Sequence, residues 1–168
     1  MKKLIATVLS LILLACALSA CGPKKFGKKF EVIRIESSTS EGFGPFPRDF
    51  VRVFDFEYGL VTDECIADKK DIPKEDKDFY NHPKQIATFT QEQAESFLTE
   101  VSELGFYTWE ERYVTDEVIS DAAGSSITIY FQDGTMRKTY TKFEYPPNYK
   151  EISAAFESIL GANLYYGW

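Results

Sequence analysis

Few side chains in this sequence are of types that do covalent or acid–base chemistry. His82 is the single histidine, set in Asn81-His82-Pro83, and Cys65 is the one cysteine beyond residue 21. A thiol and an imidazole form a nucleophile and its base when a fold brings them together, but neither residue sits in a motif of that kind. A Ser-His-Asp arrangement has only His82 to use as base. Asp63, Glu64, Cys65, Asp68 and Asp71 cluster without the alternating acids, glycine and closing glutamate of a calcium loop. Zinc asks for more Cys or His ligands than the chain supplies. A glycosidase needs two carboxylates facing one cleft, whereas Glu110 and Glu111 are adjacent and would point to opposite sides of a strand. Gly42 and Gly44 are followed by prolines and lead toward a strand, while a phosphate cradle opens a helix. No catalytic residue, metal ligand or cofactor is assigned. Exposed aromatics such as Phe43, Phe46 and Tyr145 are suited to stacking on sugar rings.

Charge narrows the partners. The chain has 19 basic and 26 acidic residues, for a net −7. Setting aside Lys2, Lys3, Lys24, Lys25, Lys28 and Lys29 leaves 13 bases against all 26 acids, a net −13 over residues 30–168. Phosphate backbones repel such a body, so nucleic acid is not an expected partner. The chain has 14 Phe, 10 Tyr and 2 Trp, nearly all of them within residues 30–168, which have the apolar content for one domain with one core.

The first 21 residues set the expected location. Lys2 and Lys3 precede an apolar run over residues 4–18, which then closes on Leu18-Ser19-Ala20-Cys21. This is the layout of a secretory signal, too short for a comfortable membrane span and followed by Pro23. Leu18-Ser19-Ala20-Cys21 resembles the lipobox of bacterial lipoproteins. The resemblance implies cleavage between Ala20 and Cys21, a diacylglyceryl thioether on Cys21, and often an acyl group such as palmitate on the new amine. The implied protein is held at the extracytoplasmic face of a cell membrane, or at the outer membrane of a two-membrane organism. Two or three acyl chains make a durable anchor where one does not. Residues 21–29, with four lysines, two glycines and a proline, read as a flexible basic tether; the lysines either attract anionic lipid or serve solubility.

The elements that would position any site follow from periodicity. Residues 30–36 and 50–58 alternate as strands, the first with Ile33 and Ile35 on one side and Phe30 and Val32 on the other, and residues 59–66 continue as a third. Residues 68–84 read as a long charged loop. Ala94, Phe97, Leu98, Val101 and Leu104 recur at helical spacing behind a Thr90–Gln93 capping box, with Gly105 as the stop. Residues 106–109 and 113–118 read as extended. Residues 125–131 and 135–143 flank Gln132-Asp133-Gly134 as a hairpin. A second helix starts at Asn148, buries Ile152, Ala155, Phe156, Ile159 and Leu160, and ends at Gly161. Tyr165, Tyr166 and Trp168 are expected to fold back onto the sheet or helices, or to serve as a partner anchor. The expected domain is α+β, an antiparallel sheet of about five strands with two helices on one face.

Gly42-Phe43-Gly44-Pro45-Phe46-Pro47, and the later helix, strand, Asp-Gly turn and strand, resemble an uncharacterised family of bacterial lipoprotein domains with a Cys-Phe-Gly-x-Cys-Pro loop. Here glycine and phenylalanine stand where the cysteines would be, so no disulfide or redox role carries over. The resemblance implies a fold and a location but no reaction. The functional expectation is a membrane-anchored binding or interaction module with an envelope protein as partner. The alternative is an enzyme acting on cell-envelope carbohydrate, or an inhibitor of one that inserts residues 42–47 with Phe43 and Phe46.

Overall fold

The computed structural model describes residues 24–41, 48–66, 83–115 and 124–164, with the outermost residues of some strands described by backbone alone. Seven strands form one sheet: β1 (Val32–Glu41), β2 (Arg48–Asp55), β3 (Leu60–Ile66), β4 (Lys84–Thr88), β5 (Arg112–Val114), β6 (Ser125–Phe131) and β7 (Met136–Lys142). Their order across the sheet is β4-β3-β2-β1-β6-β7-β5. Neighbours are antiparallel except β5, which runs parallel to β7. The architecture is α+β as expected, but the sheet is larger than about five strands and is mixed. The additions are its two edges. Lys-Gln-Ile-Ala-Thr of β4 is exposed at four of five positions, so its sequence shows no buried face, and β5 is only three residues long. Phe106–Thr108 is a 3₁₀ turn rather than extended chain.

A bulge in β1 shifts its register between Val32 and Arg34. Three residues then span what two would in a regular strand, so Val32 and Ile35 both reach the core. This overturns the simple alternation that paired Ile33 with Ile35. On β2, Phe54 faces Ile35 of β1, and Ile35 in turn faces Ile129 of β6. These side chains form the floor on which the helices rest.

Helix α1 (Gln91–Glu103) begins with the expected capping box: the Gln93 amide donates to Thr90 Oγ1 at 3.2 Å and the Thr90 amide to Gln93 Oε1 at 2.8 Å. Gly105 ends the helical run in the left-handed region, φ 82°. Helix α2 (Tyr149–Leu160) buries Ile152, Ala155, Phe156 and Leu160 and closes at Gly161, φ 78°. Gln93 Nε2 near the start of α1 donates to Ile159 O near the end of α2, and Asn148 Nδ2 at the start of α2 donates to Leu104 O, both at 3.0 Å. The two helices are therefore antiparallel neighbours. Phe97 of α1 stacks on Phe56, and Phe156 of α2 meets Phe54 and Phe97 edge-on at 4.7 and 4.5 Å. Each of these rings is essentially sealed from water, and burying one contributes roughly 2 kcal/mol.

Residues 24–29, the described part of the basic stretch, lie against the domain. Phe26 lies edge-on to Phe30 and Phe89 at 6.1 and 6.2 Å, and its amide donates to Glu57 O at 2.7 Å. Lys25 pairs with Glu57 at 2.7 Å and Lys28 with Glu95 at 3.2 Å. Gly59, φ 66°, makes room for the Phe26 ring: a Cβ there would lie 2.4 Å from Phe26 Cζ and 2.3 Å from Phe89 O. One aromatic ring supplies apolar area that the lysines do not, and their acidic partners come from residues distant in sequence.

The two ends of the sheet differ. The turns Asp55 to Leu60 and Phe131 to Met136, the step from β4 to α1 and the docked residues 25–30 all lie at one end. The strand ends that flank residues 42–47, 67–82 and 116–123 lie at the other.

Candidate functional site

Two places combine polar or aromatic groups in ways the core does not require. The first is on the helix-covered face. Arg52 falls on the same side of β2 as Phe54 and is 8% exposed. Its Nε and Nη2 donate to the two carboxylate oxygens of Asp63 on β3 at 2.7 and 3.0 Å. Its Nη1 donates to Asn163 O at 3.0 Å and to Asn163 Oδ1. Every guanidinium nitrogen thus has a protein acceptor, which satisfies a nearly buried cation and ties the chain beyond α2 to the sheet. Leu164 is completely buried beside it in sequence. Ser37, opposite Arg52 on β1, is buried, and its Oγ finds no hydrogen-bond partner among the described residues. This arrangement is a clamp, with its charge already spent inside the fold.

The second place is exposed. Tyr145 and Tyr149 stack with ring centres 4.7 Å apart and planes inclined by 23°, and Tyr145 is 65% exposed. Trp109 lies behind Tyr149, 6.4 Å away, and its Nε1 donates to Pro147 O at 3.0 Å. Phe143, 47% exposed, and Asn148 are the two non-glycine residues with positive φ among the described residues, at 63° and 55°. They bracket Glu144, Tyr145, Pro146 and Pro147. Asparagine tolerates this conformation and here caps α1 through its side chain, but for phenylalanine it costs roughly 1–3 kcal/mol. The surrounding contacts hold Phe143 there: Val114 and Phe143 form a β-bridge that ties the segment to β5. Tyr145, Pro146, Asn148, Tyr149, Lys150 and Glu151 line a shallow open depression. The result is a rigid aromatic shelf with amide, ammonium and carboxylate groups at its margin.

The outer face of the sheet carries a separate network. Tyr130 donates to Glu36 Oε2 at 2.9 Å, and Glu36 also pairs with Arg34 at 2.6 Å. Burial first, and then the Glu36 carboxylate, push the Tyr130 phenol above its usual range, so it stays a donor. Burial also raises the Tyr107 phenol, with Glu31 adding to the shift.

The residues singled out by sequence fare unequally. Ala20, Cys21, Phe43, Phe46, His82, Tyr165, Tyr166 and Trp168 lie outside the described residues, as do Asp68, Asp71 and the Cys65 side chain. The acidic cluster is divided by strand alternation: Asp63 faces Arg52, while Glu64 is opposite Val51 on the other side of the sheet. Among the described residues no group of three His, Cys, Asp or Glu side chains is placed to hold a metal ion. Glu110 and Glu111 are both exposed at the margin of β5. Tyr145, named for its exposure, is the one residue brought into an organised surface. Arg52 was legible in principle, because Phe50, Arg52 and Phe54 share a parity, and an arginine on the apolar side of a strand requires a partner. No known protein family, curated protein or solved structure matches the chain.

Proposed function

We propose that this chain is an extracytoplasmic lipoprotein, anchored through Cys21 and acting as a binding module whose recognition surface is the aromatic shelf around Tyr145. The observation that supports the binding role is the stacked Tyr145–Tyr149 pair, exposed to water yet fixed by Trp109, two prolines and the strained backbone at Phe143. Exposed aromatic rings held rigid lose little entropy on binding, which is why tyrosine and tryptophan dominate interface hot spots. The membrane anchor rests on Leu18-Ser19-Ala20-Cys21 and the apolar run before it. Among the described residues no helix is long and apolar enough to cross a membrane. The partner fitting this surface is an envelope protein offering an apolar or cationic contact to an acidic domain.

Capture of cross-linked partners from solubilised envelope by the acylated protein is the test, with Tyr145→Ala as the comparison. Loss of capture in a variant that melts at the parent temperature supports the shelf, and unchanged capture overturns it. A diacylglyceryl thioether on Cys21, seen by mass spectrometry of the mature chain, supports the anchor; a bare thiol or an uncut leader removes it. A second reading, recognition of envelope carbohydrate, is favoured by the margin of the shelf, where Asn148, Lys150 and Glu151 border the Tyr face as sugar hydroxyls would require. Co-sedimentation with purified cell-wall polysaccharide, lost in Tyr145→Ala, distinguishes it from protein binding.

A further inference from the structure

We infer that the turn end of the sheet is the membrane-facing end of this domain, held against the bilayer surface by a leash too short to let it turn over. The inference rests on the acylated Cys21 proposed above. Phe26, Lys25 and Lys28 are docked on the domain, so the free chain between Cys21 and the first docked residue, Lys25, is four peptide spacings. Whatever conformation those residues take, they span at most about 14 Å. The strands rise roughly 25 Å from the turn end to the opposite end, so the leash cannot bring that opposite end to the lipid.

Charge acts in the same direction. The body over residues 30–168 carries a net −13, and an anionic leaflet repels it. Lys24, Lys25, Lys28 and Lys29 sit at the turn end, where Lys25 and Lys28 offset Glu57 and Glu95. These four lysines lower the repulsion between that end and such a surface. Two exposed residues there, Tyr58 and Met136, are suited to the headgroup region, with Lys25 Nζ 5.6 Å from the Tyr58 ring centre. The lysines therefore work as a latch that sets stand-off and orientation. Phe143 and Tyr145, which follow the far end of β7, are carried on the side away from the membrane.

The test is energy transfer from a fluorophore on the acylated protein to acceptor lipids in anionic vesicles. In a Cys65→Ser background, the donor is placed at Asp133→Cys at the turn end or at Glu144→Cys beyond the far end of β7. The expected result is markedly stronger transfer from position 133. A flexible Gly-Ser spacer of about ten residues inserted between Pro23 and Lys24, which leaves the latch intact, should shrink the difference by lengthening the leash. Equal transfer from both positions in a protein shown by mass spectrometry to carry the Cys21 lipid overturns the orientation and leaves the anchor standing. Absence of that lipid overturns the anchor itself.

Discussion

Arg52 on β2 stands directly opposite Asp63 on β3, and its guanidinium takes both carboxylate oxygens while a third nitrogen reaches Asn163 beyond α2. With the two side chains only 9% and 16% exposed, removing one partner leaves the other charge without compensation. Arg52→Ala should destabilise the fold by about 3–5 kcal/mol in urea unfolding. Replacing both partners, Arg52→Met with Asp63→Leu, should recover much of that loss, since the desolvation of two charges is then avoided.

Phe26 docks because a ring meets a glycine. Phe26→Ala should cost about 2 kcal/mol of stability, from lost burial against Phe30 and Phe89. Gly59→Ala should cost at least as much, because its φ of 66° suits glycine and its Cβ would collide with both Phe26 and Phe89 O. Amide exchange at Phe26 should rise in both variants while the amides of β6 stay protected.

The latch should have a pH window. A hydrogen bond from Gln91 and then the Lys28 ammonium hold the Glu95 carboxyl below its ordinary range. Its contribution is therefore present above the unfolded value and lost as pH falls through the lowered one. The hydrogen bond to Glu57 raises Lys25, so that contribution is full below the unfolded value and lost as pH rises through the raised one. The difference in Tm between the parent and a Lys25→Gln, Lys28→Gln double variant should be widest near neutrality and should close toward both extremes. A difference that does not change with pH contradicts the pairing.

Tyr145 and Trp109 should separate binding from stability. Tyr145→Ala removes a largely exposed ring and should leave Tm within about 2 °C of the parent. Trp109→Phe keeps a buried aromatic but deletes the hydrogen bond to Pro147 O, and should cost about 1 kcal/mol and loosen the shelf. If Tyr145→Ala unfolds the domain, the pair is core rather than surface.

At the start of α1, Thr90→Ala removes the acceptor for the Gln93 amide and should cost about 1 kcal/mol in thermal or urea unfolding.

The two helices and the hairpin of β6 and β7 were determined by local sequence: Thr90 with Gln93, Gly105, Gly161 and Gln132-Asp133-Gly134 act on neighbours a few residues away, and periodicity alone fixed the buried faces of α1 and α2. Tertiary structure decided the rest, because it depends on partners far apart in the chain. The exposed residues of β4 become a strand only because β3 offers an edge, and β5 because β7 does. The bulge in β1 redirects Val32 and Ile35 together, which no alternation rule anticipates. Residues 24–29 meet Glu57, Gly59, Phe89 and Glu95, and Tyr145 meets Tyr149 with Trp109 behind it. Patterns within one segment record which side chains seek burial; what covers them, and which charges meet there, is settled only when separate segments pack.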